Sequence, residues 1–137
     1  MITGFSHVSI VVPDIEAAAR MLADRYGLAV GKRMVNEQQG VRLAYVEFAN
    51  GKFELMEPSR PDSPIAKFLE RNPKGGIHHL ALNVDDMEQT AQMLGASGVR
   101  LLGDGKPQRN VAGERIAFVH PVDFLGALLE LEQHEGQ

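Results

Sequence analysis

Two histidines and two glutamates stand at matching places in a sequence that repeats itself. The stretch from His7 reads HVSIVVPDIEAAARML, and the stretch from His79 reads HLALNVDDMEQTAQML, an offset of 72 positions (79 minus 7). Laid together, His7 meets His79, Val12 meets Val84, Asp14 meets Asp86 and Glu16 meets Glu88. Further on, Ala19 meets Ala91, Met21 meets Met93 and Leu22 meets Leu94. Downstream of each copy comes a short apolar run with a glutamate in it, FELME around Glu54 and ALLELE around Glu130. One imidazole and one carboxylate per copy is a way to build a four-ligand metal site about a two-fold axis. Two nitrogen and two oxygen donors form a borderline-hard set that suits Co2+, Zn2+, Ni2+, Mn2+ or Fe2+. One or two positions remain for water or substrate, which makes such a site catalytic in type. A single His or Glu at a strand end is ordinarily a surface or hydrogen-bonded structural group. The duplicated placement is what raises these four above that reading.

The elements that must position the four residues follow from hydrophobic periodicity. Residues 5–12 are β-branched and apolar and read as a buried strand. Pro13-Asp14 breaks it, and Asp14 is an N-cap for a helix in which Ile15, Ala18, Ala19, Leu22 and Tyr26 fall at helical spacing until Gly27. Strands are expected at 28–36 and 41–48, with a hairpin signal at Asn50-Gly51 and a returning strand from Phe53 to Glu57. The second half repeats the order. Strand 77–84 leads to a helix from Asp86 to about Ala96, with Asp86 and Gln89 resembling a capping box. Strands near 99–103, 115–120 and 126–132 follow, and 104–114 reads as a polar loop. Between the halves, prolines at 58, 61, 64 and 73 and glycines at 75 and 76 mark a linker. Within it, Ser63-Pro64 is a cap and first-turn pair for a short helix, IAKFLER.

Side chains alternate along a strand, so His7 shares a face with Ser9 and Val11, Glu54 with Met56, His79 with Ala81 and Asn83, and Glu130 with Leu128 and Glu132. Each strand therefore aims one ligand at a common cleft. The repeat selects His79 over His78, which points to the opposite face. His120-Pro121 has no partner in the first copy and reads as structural or substrate-proximal, and His134 as a solvated tail residue.

Composition sets outer bounds. At 137 residues and 44% apolar, the chain is one domain with a real core. A net charge of −4 argues against nucleic acid or an anionic membrane as partner. Cysteine is absent, so any metal must be held by nitrogen and oxygen. The N-terminus has neither the basic region nor the apolar run of a signal peptide, and a cytoplasmic location is expected.

With these residues in hand, the chain resembles the vicinal-oxygen-chelate (glyoxalase/bleomycin resistance/dioxygenase) superfamily, and within it the methylmalonyl-CoA epimerases. The likeness runs through HVSIVVPDIEAA at 7–18, EQQGVRLAYVEF at 37–48, FELMEP at 53–58, DSPIAKFLE at 62–70, GGIHHLALNVDDME at 75–88, GVRLL at 98–102, RIAFVHP at 115–121 and LLELEQ at 128–133. DSPIAKFL and GGIHH are its most specific strings. The resemblance implies an α+β fold of two tandem βαβββ modules, 1–58 and 75–137, joined by a linker with a short helix at 59–74. Together these form a single domain, a curved, partly open, eight-stranded barrel-like sheet around a metal cleft. It implies metal ligands at His7, Glu54, His79 and Glu130, with Glu130 and Glu54 as the catalytic bases. The reaction implied is epimerisation of a 2-substituted malonyl-CoA, methylmalonyl-CoA first, through a metal-stabilised enolate. A homodimer is implied as well, since superfamily members often pair and short modules leave sheet edges to cover.

Two departures bear on the chemistry. Some epimerases carry a glutamate, proposed as a base, where this chain has Leu43; Glu47 shares that face farther along. The family's HPKDTGGVLIEL reads HPVDFLGALLEL here, with Val122 for lysine and Phe124-Leu125 for a small pair, which leaves the acyl group open. A glyoxalase-I-like lactoylglutathione lyase would use the same ligands, but DSPIAKFL and GGIHH favour the epimerase. A non-catalytic bleomycin-resistance-type binding protein usually lacks the full quartet. An extradiol dioxygenase would use two His and one carboxylate. Fold alone does not separate these chemistries.

Overall fold

The computed structural model of the protein describes residues 1–134. Among them are eight strands: β1 Ile2–Val11, β2 Met34–Asn36, β3 Val41–Phe48, β4 Gly51–Pro58, β5 Gly76–Val84, β6 Gln108–Arg109, β7 Arg115–Val119 and β8 Leu129–Gln133. Three helices accompany them: α1 Ile15–Tyr26, α2 Pro64–Arg71 and α3 Met87–Ala96, with a 3-10 turn at Pro121–Asp123. The element order is thus βαβββ twice, with α2 between, as the repeat requires.

The chain divides into two compact units, one of Met1–Ser6 with His79 onward and one of His7–His78. In the His7–His78 unit the strand order is β2-β3-β4-β1, with β1 parallel to β4 and the other pairs antiparallel. In the other unit it is β5-β8-β7-β6, with β5 parallel to β8 and the rest antiparallel. There the first residues of β1 run beside β5: Asp85 N–H donates to Met1 O, and the Met1 ammonium donates to Asp85 Oδ1 at 2.7 Å.

Local signals explain the helices. Asp14 is extended at the N-cap and accepts from the N–H groups of Glu16 and Ala17, and Gly27 closes α1 in the left-handed conformation. Asp86 accepts from Gln89 N–H at 3.0 Å and starts α3. Ser63 departs from expectation. It makes no side-chain cap bond to α2; its hydroxyl donates to Gln39 O at 3.5 Å. The preset φ of Pro64 at the first turn starts that helix without the cap.

Two expected strands are mostly absent. Of 28–36 only Met34–Asn36 is strand, and near 99–103 only a single bridge, Leu101 to Val119, forms. Each segment touches its neighbour through isolated bonds, Gly31 N–H to Tyr45 O and Leu102 N–H to Phe118 O, both 2.8 Å. Glycines at 27, 31 and 103 weaken these runs as strands. The second module's outer strand forms inside the expected loop instead, at Gln108–Arg109.

The far face of each unit is apolar. In one, Val84, Met87, Leu101, Ala117, Val119, Leu129 and Leu131 form a core beneath α3. In the other, α1 packs on β4, and Ala44, Val46 and Leu55 are buried on the face opposite Glu54. Helix α2 packs on the Glu54 face, where Ile65, Phe68 and Leu69 meet Val11, Val41, Leu43 and Met56. These contacts leave His7, Ser9, Tyr45 and Glu54 farther along the same strands.

The GGIHH string has a steric reason. Gly75 has φ +85°, and a Cβ there would sit 2.3 Å from Val11 O. Both the conformation and the close backbone approach require glycine. Gly75→Ala should therefore cost at least about 2 kcal/mol of stability, read as a lower urea midpoint; an unchanged midpoint would mean that the backbone relaxes without loss.

Candidate functional site

The site residues sit on the first, third and last strands of each module, in fixed rows. Register in the His7–His78 unit places Ser9 beside Glu54 and Tyr45 on its other side. The next row toward α2 is Val11, Met56 and Leu43; the row away from it is His7, Lys52 and Glu47. His7 is 4% exposed, and its Nε2 lies 3.8 Å from Glu54 Oε1. Glu54 accepts from the Ser9 hydroxyl on Oε1 at 2.5 Å and from the Tyr45 hydroxyl on Oε2 at 3.0 Å. The Lys52 ammonium lies 4.4 Å from the centre of the Tyr45 ring, over its face.

In the other unit Glu130 lies between Ala81 and Phe118, and Glu132 between Asn83 and Ile116. His79 is 6% exposed, with Nε2 3.8 Å from Glu130 Oε1 and its ring edge-to-face with Phe118. The same separation thus recurs in both units. It is too long for a hydrogen bond between the two side chains. It is close to the spacing of two donors on one ion, whose bonds are each about 2.0–2.2 Å. The structure brings His7 to Glu54 and His79 to Glu130. Buried imidazoles beside carboxylates, with no thiol anywhere in the chain, fit a divalent ion of the borderline-hard kind.

The remaining histidines have other partners. His78 meets Phe68 of α2 edge-to-face, and burial holds its pKa below the usual histidine range, opposed by the charge of Glu54. His120 N-caps the 3-10 turn, its Nδ1 accepting from Val122 N–H at 3.0 Å. His134 is not a solvated tail residue. It is half-buried, its Nδ1 joins Glu114 in a short hydrogen bond, and its Nε2 lies 3.5 Å from Glu132. β8 ends at Gln133 and holds it there.

Sequence reasoning placed Ser9 on the ligand face without a role and passed over Tyr45. The signal for Tyr45 was its place midway between Leu43 and Glu47, on one face of β3. It placed Glu132 on the Glu130 face without a role as well; Glu132 is buried and accepts a short hydrogen bond from the Ser6 hydroxyl. A cavity of about 380 Å³ adjoins Tyr45 and Glu47, walled by residues 27–31. Another, of about 200 Å³, is lined by Leu102, Lys106, Gln108, Ile116 and Phe118 in the other unit.

A buried carboxylate loses much when a donor is removed. Ser6→Ala should lower unfolding free energy by about 1–3 kcal/mol, measured by urea titration; no loss would mean that other partners satisfy Glu132.

Comparison with known proteins fits this geometry. A model of the glyoxalase/bleomycin resistance protein/dioxygenase superfamily matches residues 6–118. The ethylmalonyl-CoA/methylmalonyl-CoA epimerase of Cereibacter sphaeroides is 43% identical over 133 residues, spanning 97% of this chain and 99% of that protein. The crystal structure of methylmalonyl-CoA epimerase from Mycobacterium tuberculosis superposes with a TM-score of 0.83 at 35% identity, covering 96% of this chain and 88% of that one. A variant of the Streptomyces coelicolor methylmalonyl-CoA epimerase in complex with 2-nitronate-propionyl-CoA superposes with 0.83 at 34% identity, covering 99% and 97%. The α+β fold expected from the sequence is the fold of these structures.

Proposed function

The chain belongs to the glyoxalase/bleomycin resistance protein/dioxygenase superfamily and is an epimerase, and from that premise we propose that it inverts C2 of a 2-alkylmalonyl-CoA, with methylmalonyl-CoA the leading substrate. His7, Glu54, His79 and Glu130 are proposed to hold one divalent ion: Co2+, Zn2+, Ni2+, Mn2+ or Fe2+. The observation that carries this reading is the identical 3.8 Å His–Glu spacing in the two units. A single domain, residues 1–137, is proposed, with modules 1–58 and 75–137 joined by the linker 59–74.

The substrate resembles a 1,3-dicarbonyl, with a carboxylate and a thioester on C2. When bound, the ion supplies Lewis-acid polarisation of those carbonyl oxygens, which makes the C2 proton acidic. Glu130 takes that proton on a carboxylate oxygen, and the electron pair left on C2 spreads into the two carbonyls. C2 becomes planar. Glu54, the matching carboxylate of the other module, is proposed to hold a proton at the start of this turnover and to deliver it to the opposite face, so that the two glutamates exchange protonation states. Ala81 and Phe118 flank Glu130 in register, and this apolar flank is proposed to exclude water from the carbon being inverted. The name of the Cereibacter relative couples ethylmalonyl with methylmalonyl. The Val122–Leu125 stretch, with Leu125 93% exposed at φ +48°, is proposed to bear on the choice between such alkyl groups.

No helix among the described residues is long and apolar enough to cross a membrane. A cytoplasmic homodimer, with no nucleic-acid or membrane partner, is the proposed working form. Light scattering at micromolar concentration should give twice the monomer mass, and a monomer alone would count against pairing.

Deuterium exchange at C2 of methylmalonyl-CoA tests the activity. The protein should exchange and epimerise it when loaded with metal and stop after chelation. His7→Ala and His79→Ala should lose bound metal by elemental analysis while keeping their fold. General-base catalysis contributes about 10²–10⁴-fold, so Glu130→Gln should lose that much kcat while still binding metal. Glu54→Gln should lose less, with an amide oxygen still placed to hold the ion. Undiminished metal in both histidine variants would sink the ligand assignment.

A further inference from the structure

We infer that Ser9 and Tyr45 are positioning residues that fix Glu54 as a ligand of the ion. This rests on the ligand assignment above and goes beyond it by giving Glu54 a clamp built from Ser9 and Tyr45. Each oxygen of Glu54 receives one hydroxyl: Ser9 on Oε1 at 2.5 Å and Tyr45 on Oε2 at 3.0 Å. A carboxylate offers about four lone-pair directions. Two hydroxyls therefore stop rotation of the group and still leave a lone pair on each oxygen for an ion.

The clamp is itself braced. Ser9 is fully buried on β1, so its hydroxyl has little room to turn away. Tyr45 comes from β3 on the other flank of β4, and the Lys52 ammonium lies over its ring. Three adjacent strands thus converge on one carboxylate. A Glu side chain loses much rotational freedom on binding, and a group already held loses less, so pre-orientation raises metal affinity.

The repeat supplies the control. At the same register in the second module, Glu130 is flanked by Ala81 and Phe118, which carry no hydroxyl. Alanine replaces serine and phenylalanine replaces tyrosine, so the scaffold already accepts the apolar pair at the sister position. The hydroxyls are not needed to fill space. Ser9→Ala and Tyr45→Phe install the second module's own residues in the first, and they remove two oxygen atoms without opening a large cavity.

The test is Co2+ affinity, measured by calorimetry on the metal-free full chain, in a double-mutant cycle. Loss of groups that orient ligands typically costs about 10–100-fold in metal affinity. Ser9→Ala/Tyr45→Phe should weaken Co2+ binding by that factor. The same pair made in a Glu54→Ala background should change affinity less than about 2-fold, since no carboxylate remains to position. Thermal unfolding of the metal-free variants reports the fold separately. Wild-type affinity in Ser9→Ala/Tyr45→Phe would overturn the inference. So would an equal loss in both backgrounds, which would mean a general structural effect. If Glu54→Ala alone bound Co2+ as tightly as wild type, the ligand assignment itself would fall, and that result is distinct from the other two.

Discussion

The parallel pairing of each module's first strand with its last is the constraint on which the rest depends. β1 beside β4 puts Ser9 level with Glu54, and β5 beside β8 puts Ala81 level with Glu130. Side chains alternate along a strand, so a slip of one residue in either pair would turn its glutamate onto the apolar face. That slip is opposed by the far-face core. Leu129 and Leu131 lie under α3 only while Glu130 points away, and Leu55 is buried only while Glu54 does the same. Hydrophobic burial on one face therefore fixes the chemistry on the other. Parallel strands also need a crossover between them. The α1 and α3 segments with their following hairpins provide it, which is why each module needs five elements to present one histidine and one glutamate.

The same scaffold carries different rows in its two copies. Next to the Glu54 row stands Val11, Met56 and Leu43, closed by α2. Next to the Glu130 row stands Asn83, Glu132 and Ile116, where the Ser6 hydroxyl donates to Glu132 and His134, hydrogen-bonded to Glu114, lies 3.5 Å from it. A buried carboxylate is costly unless donors surround it, and here the start of β1 and the end of β8 supply them. The linker helix performs by apolar packing in one unit what the chain ends perform by hydrogen bonding in the other.

Much of this was legible because the signals were local. Asp14, Gly27 and Asp86 mark helix ends through bonds made within a few residues, and the structure honours each. The repeat gave the strand faces, because a period of two survives without knowledge of neighbours. What failed needed tertiary facts. Residues 28–33 and 99–103 have strand-like composition, yet strand formation depends on a continuous partner, and glycines let the backbone stand off from β3 and β7. Ser63 looked like a cap, but Gln39 O competes for its hydroxyl. His134 looked like tail, but Glu114 reaches it from a loop twenty residues earlier in sequence. Tyr45 escaped notice because its role requires knowing that β3 lies against β4 in a register that sets position 45 beside position 54.

A two-fold scaffold meets an unequal substrate in the proposed reaction. A malonyl thioester presents a carboxylate on one arm and a thioester on the other. Two chemically identical halves would accept those arms in either sense, and half of the binding would be unproductive. Here the halves differ where it matters. One carboxylate is held by two hydroxyls, and the other stands between a methyl group and a phenyl ring. Two hydroxyl donors fix the direction in which Glu54 presents its oxygens, whereas Glu130 has a methyl group and a phenyl ring beside it in the sheet. Because each unit keeps its own far-face core, these changes on the ligand face leave the folding of either unit intact. The repeat puts Glu54 and Glu130 at matching positions, and Ser9 and Tyr45 in one copy and Ala81 and Phe118 in the other give the two glutamates different neighbours.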